Sequence, residues 1–438
     1  MSAPLLDKLR AIVGPHHVLS GVDLSPYVVD GVTPVAAVFP GSADDIAAVM
    51  LAAAAAELPL VPWGGGTAAA VGTPPARGGV VVALSRLRAI VEHEPGDLTV
   101  TAQAGVTVAE LQASLRARGQ WLSLDPPDAE RATLGGVLAA NAAGSRRHLY
   151  GTARDLLIGV TAVTADGSII RGGGRVVKNV AGYDLPKLFI GSYGTLGVIV
   201  EATLKLRPLP DAERLVAVPF ERLKDAGAAT RGLLASDLIP TAVDLLDAAA
   251  AAAMGLEAVP ATLVVGFDGL GEQVDWQVGE LDSIARAFGA RGTAVLPPTA
   301  WSALCRAAHA AFDTPAAVMT FSVLPAMVAD TIEQGTAAAR KHGLASAWSA
   351  HAGVGVVTGA VRADADRSDP ALVAAILTEW RAAARPGGHA SVTWAPLAVK
   401  ALLPVWDDAG AAARLMRAIK AQLDPRGLLN PGRFVGGV

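Results

Sequence analysis

Three glycine-rich runs carry the chemistry that can be read from this chain. In the first, Pro62-Trp63-Gly64-Gly65-Gly66-Thr67 follows a short strand-like segment. Three consecutive glycines after a strand suit a loop whose N–H groups turn inward to hold a pyrophosphate. The second, Thr133 to Gly144 (TLGGVLAANAAG), sets a lone Asn141 among small residues. It reads either as a close-packed helix start or as backbone laid against a flat ring system. The third, Gly172 to Val200, opens on three glycines, scatters Lys178, Asn179, Tyr183, Asp184 and Lys187 among small residues, and runs into the strand-like Leu196–Leu206. Glycine at 191, 194 and 197 lets the backbone take a positive φ or approach another group closely. Any one of these glycines would also fit a tight turn. The stretch as a whole reads as a wall laid against a large ligand.

The elements that must position these runs follow from caps and periodicity. Ser42, with Asp44 and Asp45 behind it, caps a helix to about Glu57. Strands at Val35–Pro40, Leu60–Pro62, Gly79–Leu84 and Leu98–Ala104 surround the first glycine loop. Thr107 and Glu110 form a capping box that opens a helix over Val108–Arg118, and Gly119 ends it. Ile158–Thr164 and Ser168–Arg171 form a hairpin turned at Asp166-Gly167. After Arg207-Pro208-Leu209-Pro210 the texture changes. Strands at Leu215–Pro219, Thr262–Phe267, Val318–Leu324, Gly353–Val361 and Ala390–Trp394 alternate with helices at Glu272–Phe288, Ala326–Lys341 and Pro370–Arg385. That pattern predicts an antiparallel sheet covered on one side. Ala409–Gln422 is a final helix before a proline- and glycine-pinned tail, Asp424–Phe434.

Composition narrows the function classes. Net charge is −4 and charged residues make up 17%, so there is no basic field for nucleic acid. The start, MSAPLLDKLRAIVG, lacks the basic and apolar regions of a signal peptide. The longest apolar runs, Ile46–Ala56 and Ala248–Gly255, fall short of the roughly 18 residues a membrane span needs. The expected location is the cytoplasm, with any attachment to the inner membrane made through partners. Cys305 is the only cysteine and reads as a small buried hydrophobe. An iron–sulfur cluster takes about four thiolates, so electrons handled here must be carried by an organic cofactor. Neither glycine cluster forms a G-x-G-x-x-G at a strand–helix turn, and neither G-x-x-x-x-G-K-[ST] nor G-x-S-x-G occurs.

Taken together, these runs resemble the FAD-binding oxidoreductases of the vanillyl-alcohol oxidase / p-cresol methylhydroxylase type. Pro62–Thr67 resembles that family's pyrophosphate loop and Thr133–Gly144 its flavin-lining segment. Tyr150-Gly151-x-x-Arg154-Asp155 and Gly191-Ser192-Tyr193-Gly194-Thr195-Leu196-Gly197 are similar to later segments, and Asn430-Pro431-Gly432-Arg433-Phe434 to the C-terminal return. The wording VVKNVAGYDLPKLFIGS and the ending DPRGLLNPGRFVGGV resemble the smaller FAD-binding subunit of bacterial glycolate oxidases.

The resemblance implies an α+β fold: a two-lobed FAD-binding domain over residues 1–210, an α+β lid with an antiparallel sheet over 211–395, and a helix and tail, 396–438, returning to the FAD domain. It implies FAD contacts from Pro62, Trp63, Gly64, Gly65, Gly66, Thr67, Pro127, Thr133, Leu134, Gly135, Gly136, Asn141, Ala142, Gly144, Tyr150, Gly151, Ile199 and Asn430. Members that attach FAD covalently use a His or Cys near the loop; Trp63 and Thr67 bracket only glycines, which implies non-covalent FAD.

Catalytic relatives carry H-x-x-x-G-x-x-H and Glu-His in the lid. Here these become His351-Ala352-Gly353-Val354-Gly355-Val356-Val357 and Ser391-Val392-Thr393-Trp394. One imidazole is a poor metal site, so no metal is expected and His351 reads as a structural remnant. The family's lid arginine is replaced around Met319-Thr320-Phe321, and its glutamate in G-S-E-G-T-L-G is Tyr193. The expected role is an FAD-bearing subunit of a glycolate oxidase-type complex, relaying electrons between a larger catalytic FAD subunit and an iron–sulfur subunit. A stand-alone FAD dehydrogenase with Tyr183, Lys178 or His389 as acid/base groups is a rival. A cofactor-free scaffold is a third reading, which the bare glycine clusters argue against.

Overall fold

The computed structural model describes residues 3–174, 184–362, 369–384 and 387–438. Lys178, Asn179 and Tyr183 lie outside the described residues. The chain divides into two compact units. One comprises Met1–Ala143, Thr152–Leu209 and Asp408–Val438; the other comprises Gly144–Gly151 and Pro210–Asp407. Residues 396–407, expected to return with the tail, therefore go with the second unit.

Among the described residues the first unit holds three sheets, the smallest being Gln120–Trp121 paired with Arg207–Pro208. Ala36–Val38, Val80–Ala83 and Leu60–Trp63 pair in parallel, with Val18–Leu19 antiparallel at one edge. Val80–Ala83 is buried along its length, as a parallel strand flanked on both sides must be. Ser42 Oγ accepts from Asp45 N–H and starts the helix Ala43–Ala55. The second sheet is antiparallel throughout, in the order Ile90–Glu94, Thr99–Gln103, Val198–Lys205, Leu157–Val163, Ile169–Gly173. The capping box of Thr107 and Glu110 is formed, and Gly167 takes φ +82 in the hairpin turn. Ile90–Glu94 has no counterpart in the sequence reading. Its half-exposed, charged pattern gives no strand signal, and backbone pairing to Thr99–Gln103 decides it.

In the second unit the described residues form an eight-stranded antiparallel sheet. Alternation sends Val216, Val243, Leu245 and Val265 to one face, where the helices Gly271–Ala287, Val328–Lys341 and Pro370–Ala383 cover them. Leu215, Ala242, Leu246 and Val264 point the other way and pack with Ala250, Trp301 and Leu304. The expectation of a sheet covered on one side is thus corrected: short helices at Ala248–Ala253 and Ala300–Leu304 bury part of the opposite face. Trp348 and Trp380 meet at 4.5 Å between ring centroids, tilted by 55°, in the core under the helices. A Cβ at Gly335 would stand 2.2 Å from Trp348, so this mid-helix glycine is there to admit the indole. Cys305 caps the helix Ala300–Leu304 and is half-buried rather than fully buried. Among the described residues no helix is long and apolar enough to cross a membrane.

Candidate functional site

A cavity of about 320 Å³ opens beside the first glycine loop, with all its lining residues in the first unit. The strand Leu60–Trp63 delivers the loop to it. Three features make the loop bare. A Cβ on Gly64 would stand 2.1 Å from Thr133 Oγ1, and one on Gly65 would stand 1.7 Å from the Arg131 carbonyl oxygen. Gly66 takes φ +72, a region that side chains disfavour. The amides of Gly65, Gly66, Thr67 and Ala68 make no backbone hydrogen bond among the described residues. Among the described residues the charged side chains on the cavity wall are Arg77 and Arg433, and no Asp or Glu lines it. Consecutive unpartnered N–H groups with guanidinium groups and no carboxylate form a place for an anion.

The wall opposite the loop is small-residue backbone. Thr133 caps the helix Leu134–Ala140, its Oγ1 accepting from Gly136 N–H at 3.3 Å, so that Gly135, Gly136, Ala139 and Ala140 face the cavity. The tail supplies another side. Leu60 N–H donates to the Leu428 carbonyl and Asn430 N–H to the Leu60 carbonyl. Asn430 Nδ2 donates to the Tyr193 carbonyl at 2.7 Å. Tyr193 sits at φ +51 with its ring 5.4 Å from that of Phe434, and burial raises its phenol above the usual range.

The structure brings ten of the expected residues to this cavity: Pro62, Trp63, Gly64, Gly65, Gly66, Thr67, Gly135, Gly136, Ile199 and Asn430. Others stand behind it or elsewhere. Leu134 is fully buried in the core, Ala142 packs against the same core, and Pro127 is half-buried in a loop. Asn141 ends the helix at φ +49, and its Oδ1 is buried with no hydrogen-bond partner among the described residues. Gly144, Tyr150 and Gly151 belong to the second unit. Sequence reasoning did not find Tyr27, Arg77, Gly78, Gly79 or Arg433 as cavity residues. A Cβ at Gly79 would meet the Pro59 carbonyl oxygen at 2.3 Å, a close approach that the sequence alone does not show.

The second unit has a separate cluster of buried ionic groups. Arg146 Nη2 lies 2.5 Å from Glu213, its Nη1 3.8 Å from Asp268, and its guanidinium 3.9 Å above the Trp301 ring. Tyr150 donates to Asp268 at 2.7 Å. Further on, His351 Nδ1 is 2.5 Å from Asp244, which is 2% exposed. Burial lowers the pKa of His148, with the nearby Asp244 opposing. Among the described residues no group of three or more His, Cys, Asp or Glu is placed to hold a metal.

A family model for the FAD binding domain matches residues 34–173, and one for the C-terminal domain of FAD linked oxidases matches residues 209–434. The chain belongs to the FAD-linked oxidases. It is an oxidoreductase chain and its cofactor is FAD. Glycolate oxidase subunit GlcD of Bacillus subtilis is 29% identical over 421 residues, which cover 92% of this oxidase chain and 89% of the relative. Glycolate oxidase subunit GlcE of Escherichia coli is 41% identical over 157 residues, 36% of this chain and 44% of the relative. The solved structure of p-cresol methylhydroxylase superposes with a TM-score of 0.79 at 17% identity, covering 99% of this chain and 96% of that one. The fold is therefore of the p-cresol methylhydroxylase type. The cavity of this FAD-linked oxidase suits its cofactor on its own evidence: the bare loop and an anion-favouring wall.

Proposed function

We propose that this chain is an FAD-bearing subunit of a complex that oxidises a small 2-hydroxy acid, and that it relays electrons between a larger catalytic FAD subunit and an iron–sulfur partner. The observation that carries the reading is the cavity, whose wall has room and anion-binding amides but, among the described residues, no Asp, Glu, His, Cys or Lys. FAD, when bound, supplies the acceptor and donor of electrons. The amides of Gly65–Ala68 with Arg77 would hold the diphosphate, and Gly135, Gly136 and Ile199 would lie along the rings. No His or Cys lines the cavity among the described residues, which supports non-covalent binding. A single cysteine in 438 residues supports an external iron–sulfur carrier. Local likeness to GlcE and likeness along the whole length to GlcD favour a 2-hydroxy acid as the pathway's fuel.

One observation favours a second reading, a dehydrogenase acting by itself. His351 is held through Nδ1 by the buried Asp244. A carboxylate that fixes one ring nitrogen leaves the other to accept a proton from an alcohol. The deciding experiment is the visible spectrum of the purified chain before and after anaerobic glycolate or D-lactate. The relay reading expects bound flavin that stays oxidised; bleaching by either acid would overturn it in favour of the dehydrogenase. A preparation that takes up no FAD at all would overturn both.

A further inference from the structure

Arg433 ties the tail to the glycine loop in an unusual way for a cavity arginine. Its Nη2 donates to the carbonyls of Ala69 at 2.6 Å and Val71 at 2.7 Å. Its own carbonyl accepts from Thr73 N–H at 3.0 Å, and its Nη1 lies 3.7 Å from the Asp30 carboxylate. The contact is close: at Gly72, φ +103, a Cβ would stand 2.6 Å from the Arg433 carbonyl oxygen. At the other end of the loop, Arg131 Nη2 reaches the Gly65 carbonyl at 3.4 Å. The loop is thus held through its carbonyls at both ends. The Ala69 carbonyl shares its peptide plane with the Ala70 N–H, and the Val71 carbonyl with the Gly72 N–H. The amides of Ala69 and Val71 donate to the carbonyls of Gly66 and Ala68, so the guanidinium holds the two turns that close the C-terminal end of the loop.

We propose that Arg433 is the positioning residue of the anion-binding loop: by holding the Ala69 and Val71 carbonyls it fixes the turns Gly66–Ala69 and Ala68–Val71 on which the path of the Gly65–Ala68 backbone depends, so that affinity for a diphosphate-bearing ligand depends on it. This rests on the FAD reading above and deepens it. The tail does not need Arg433 to stay seated. Lys420 Nζ donates to the carbonyls of Thr195 and Leu429 and to Asp424, at 2.6–2.7 Å. Asp424 in turn accepts from the amides of Leu428 and Leu429, and Asn430 bridges to Tyr193. Loss of the guanidinium should therefore loosen the loop while the tail remains docked.

The test compares the full-length, flavin-stripped chain with Arg433→Ala and Arg433→Lys by calorimetric titration with FAD, ADP and adenosine. Arg433→Ala is expected to weaken FAD and ADP by roughly 10- to 100-fold and to leave adenosine, which has no phosphate, within about twofold. Arg433→Lys, which keeps a cationic donor, should recover part of the loss. Equal weakening of all three ligands, or no change in any, overturns the inference. Hydrogen exchange at residues 428–430 checks that the tail is still protected; exposure there would mean that Arg433 merely anchors the tail, and would overturn it too. If Arg433→Ala does not fold, the lysine variant carries the same comparison with a smaller expected loss. A wild-type chain that binds none of the three ligands instead sinks the FAD reading itself.

Discussion

The glycine-lined cavity of the first unit and the ionic cluster of the second place polar groups under opposite rules. Among the described residues, successive amides in the cavity make no backbone hydrogen bond, and the wall carries guanidinium groups without a carboxylate. In the cluster, Arg146 meets Glu213 and Asp268, Tyr150 meets Asp268, and His351 meets Asp244. Buried polar groups are ordinarily satisfied within the protein. The cluster sets opposite charges against each other, even though Asp244 Oδ2 and His148 Nδ1 are buried with no hydrogen-bond partner among the described residues. The cavity instead offers donors with no carboxylate among the described residues, and so reads as a place for an anion the chain does not itself supply. Whether a region's donors face acceptors of the chain or face open space is thus a better guide to the cofactor than how many charges the region holds.

The sharpest way to break this comparison is to fill the cavity without touching the cluster. Gly136 lines the cavity, and a Cβ there would meet only Thr133 Oγ1, at 3.2 Å. Gly136→Phe should abolish flavin binding, seen as loss of absorbance in the visible spectrum, while far-ultraviolet circular dichroism is unchanged. Full flavin occupancy in that variant would refute the placement of the pocket. Next in size, Arg146→Ala strips the cation from two carboxylates, one of them, Asp268, with a side chain only 6% exposed. Removing one partner of a buried pair costs about 3–5 kcal/mol, so thermal unfolding should move down sharply, with the flavin still bound below the new midpoint. If flavin is lost at temperatures where the variant remains folded, the two regions are not independent.

The smallest effect is a pH dependence at Asp247. Burial pushes this carboxyl up to about 6 from an ordinary 3.8, while its side chain caps the helix Ala248–Ala253. Between those values the folded state holds a proton that the unfolded state releases. Its contribution to stability is therefore present in acid and lost as pH rises through about 6. Asp247→Asn keeps an acceptor for the cap and removes the titration. Its melting temperature should gain on the wild type by a few degrees between pH 4 and pH 7, and parallel curves would discard the assignment.

Local signals in the sequence carried the local structure. Thr107 with Glu110, Ser42 with Asp45, and Asp166-Gly167 each act over a few residues, and each forms its expected cap or turn. Glycines 64–66 and 135–136 were legible as backbone kept bare, and they meet at one cavity. The strands Ala242–Asp247 and Ala345–His351 were not legible. The second is ASAWSAH, with little β-branched character, and its place is set by pairing with two neighbours. Arg433 escaped notice as a cavity residue for a related reason. It acts on Ala69 and Val71 more than 360 positions earlier, and no window along the chain joins them.

The order of the segments also bears on how the cavity is made during synthesis. Tyr193 and Gly194 are translated well over 200 residues before Asn430 and Arg433, which stand beside them or across the loop. At about 5–20 residues per second, that interval is on the order of tens of seconds. Throughout it the edge of Leu60 that receives Leu428 and Asn430 has no tail to pair with. The cofactor's berth is therefore complete only once residues 428–433 have been made, long after the glycine loop they close against.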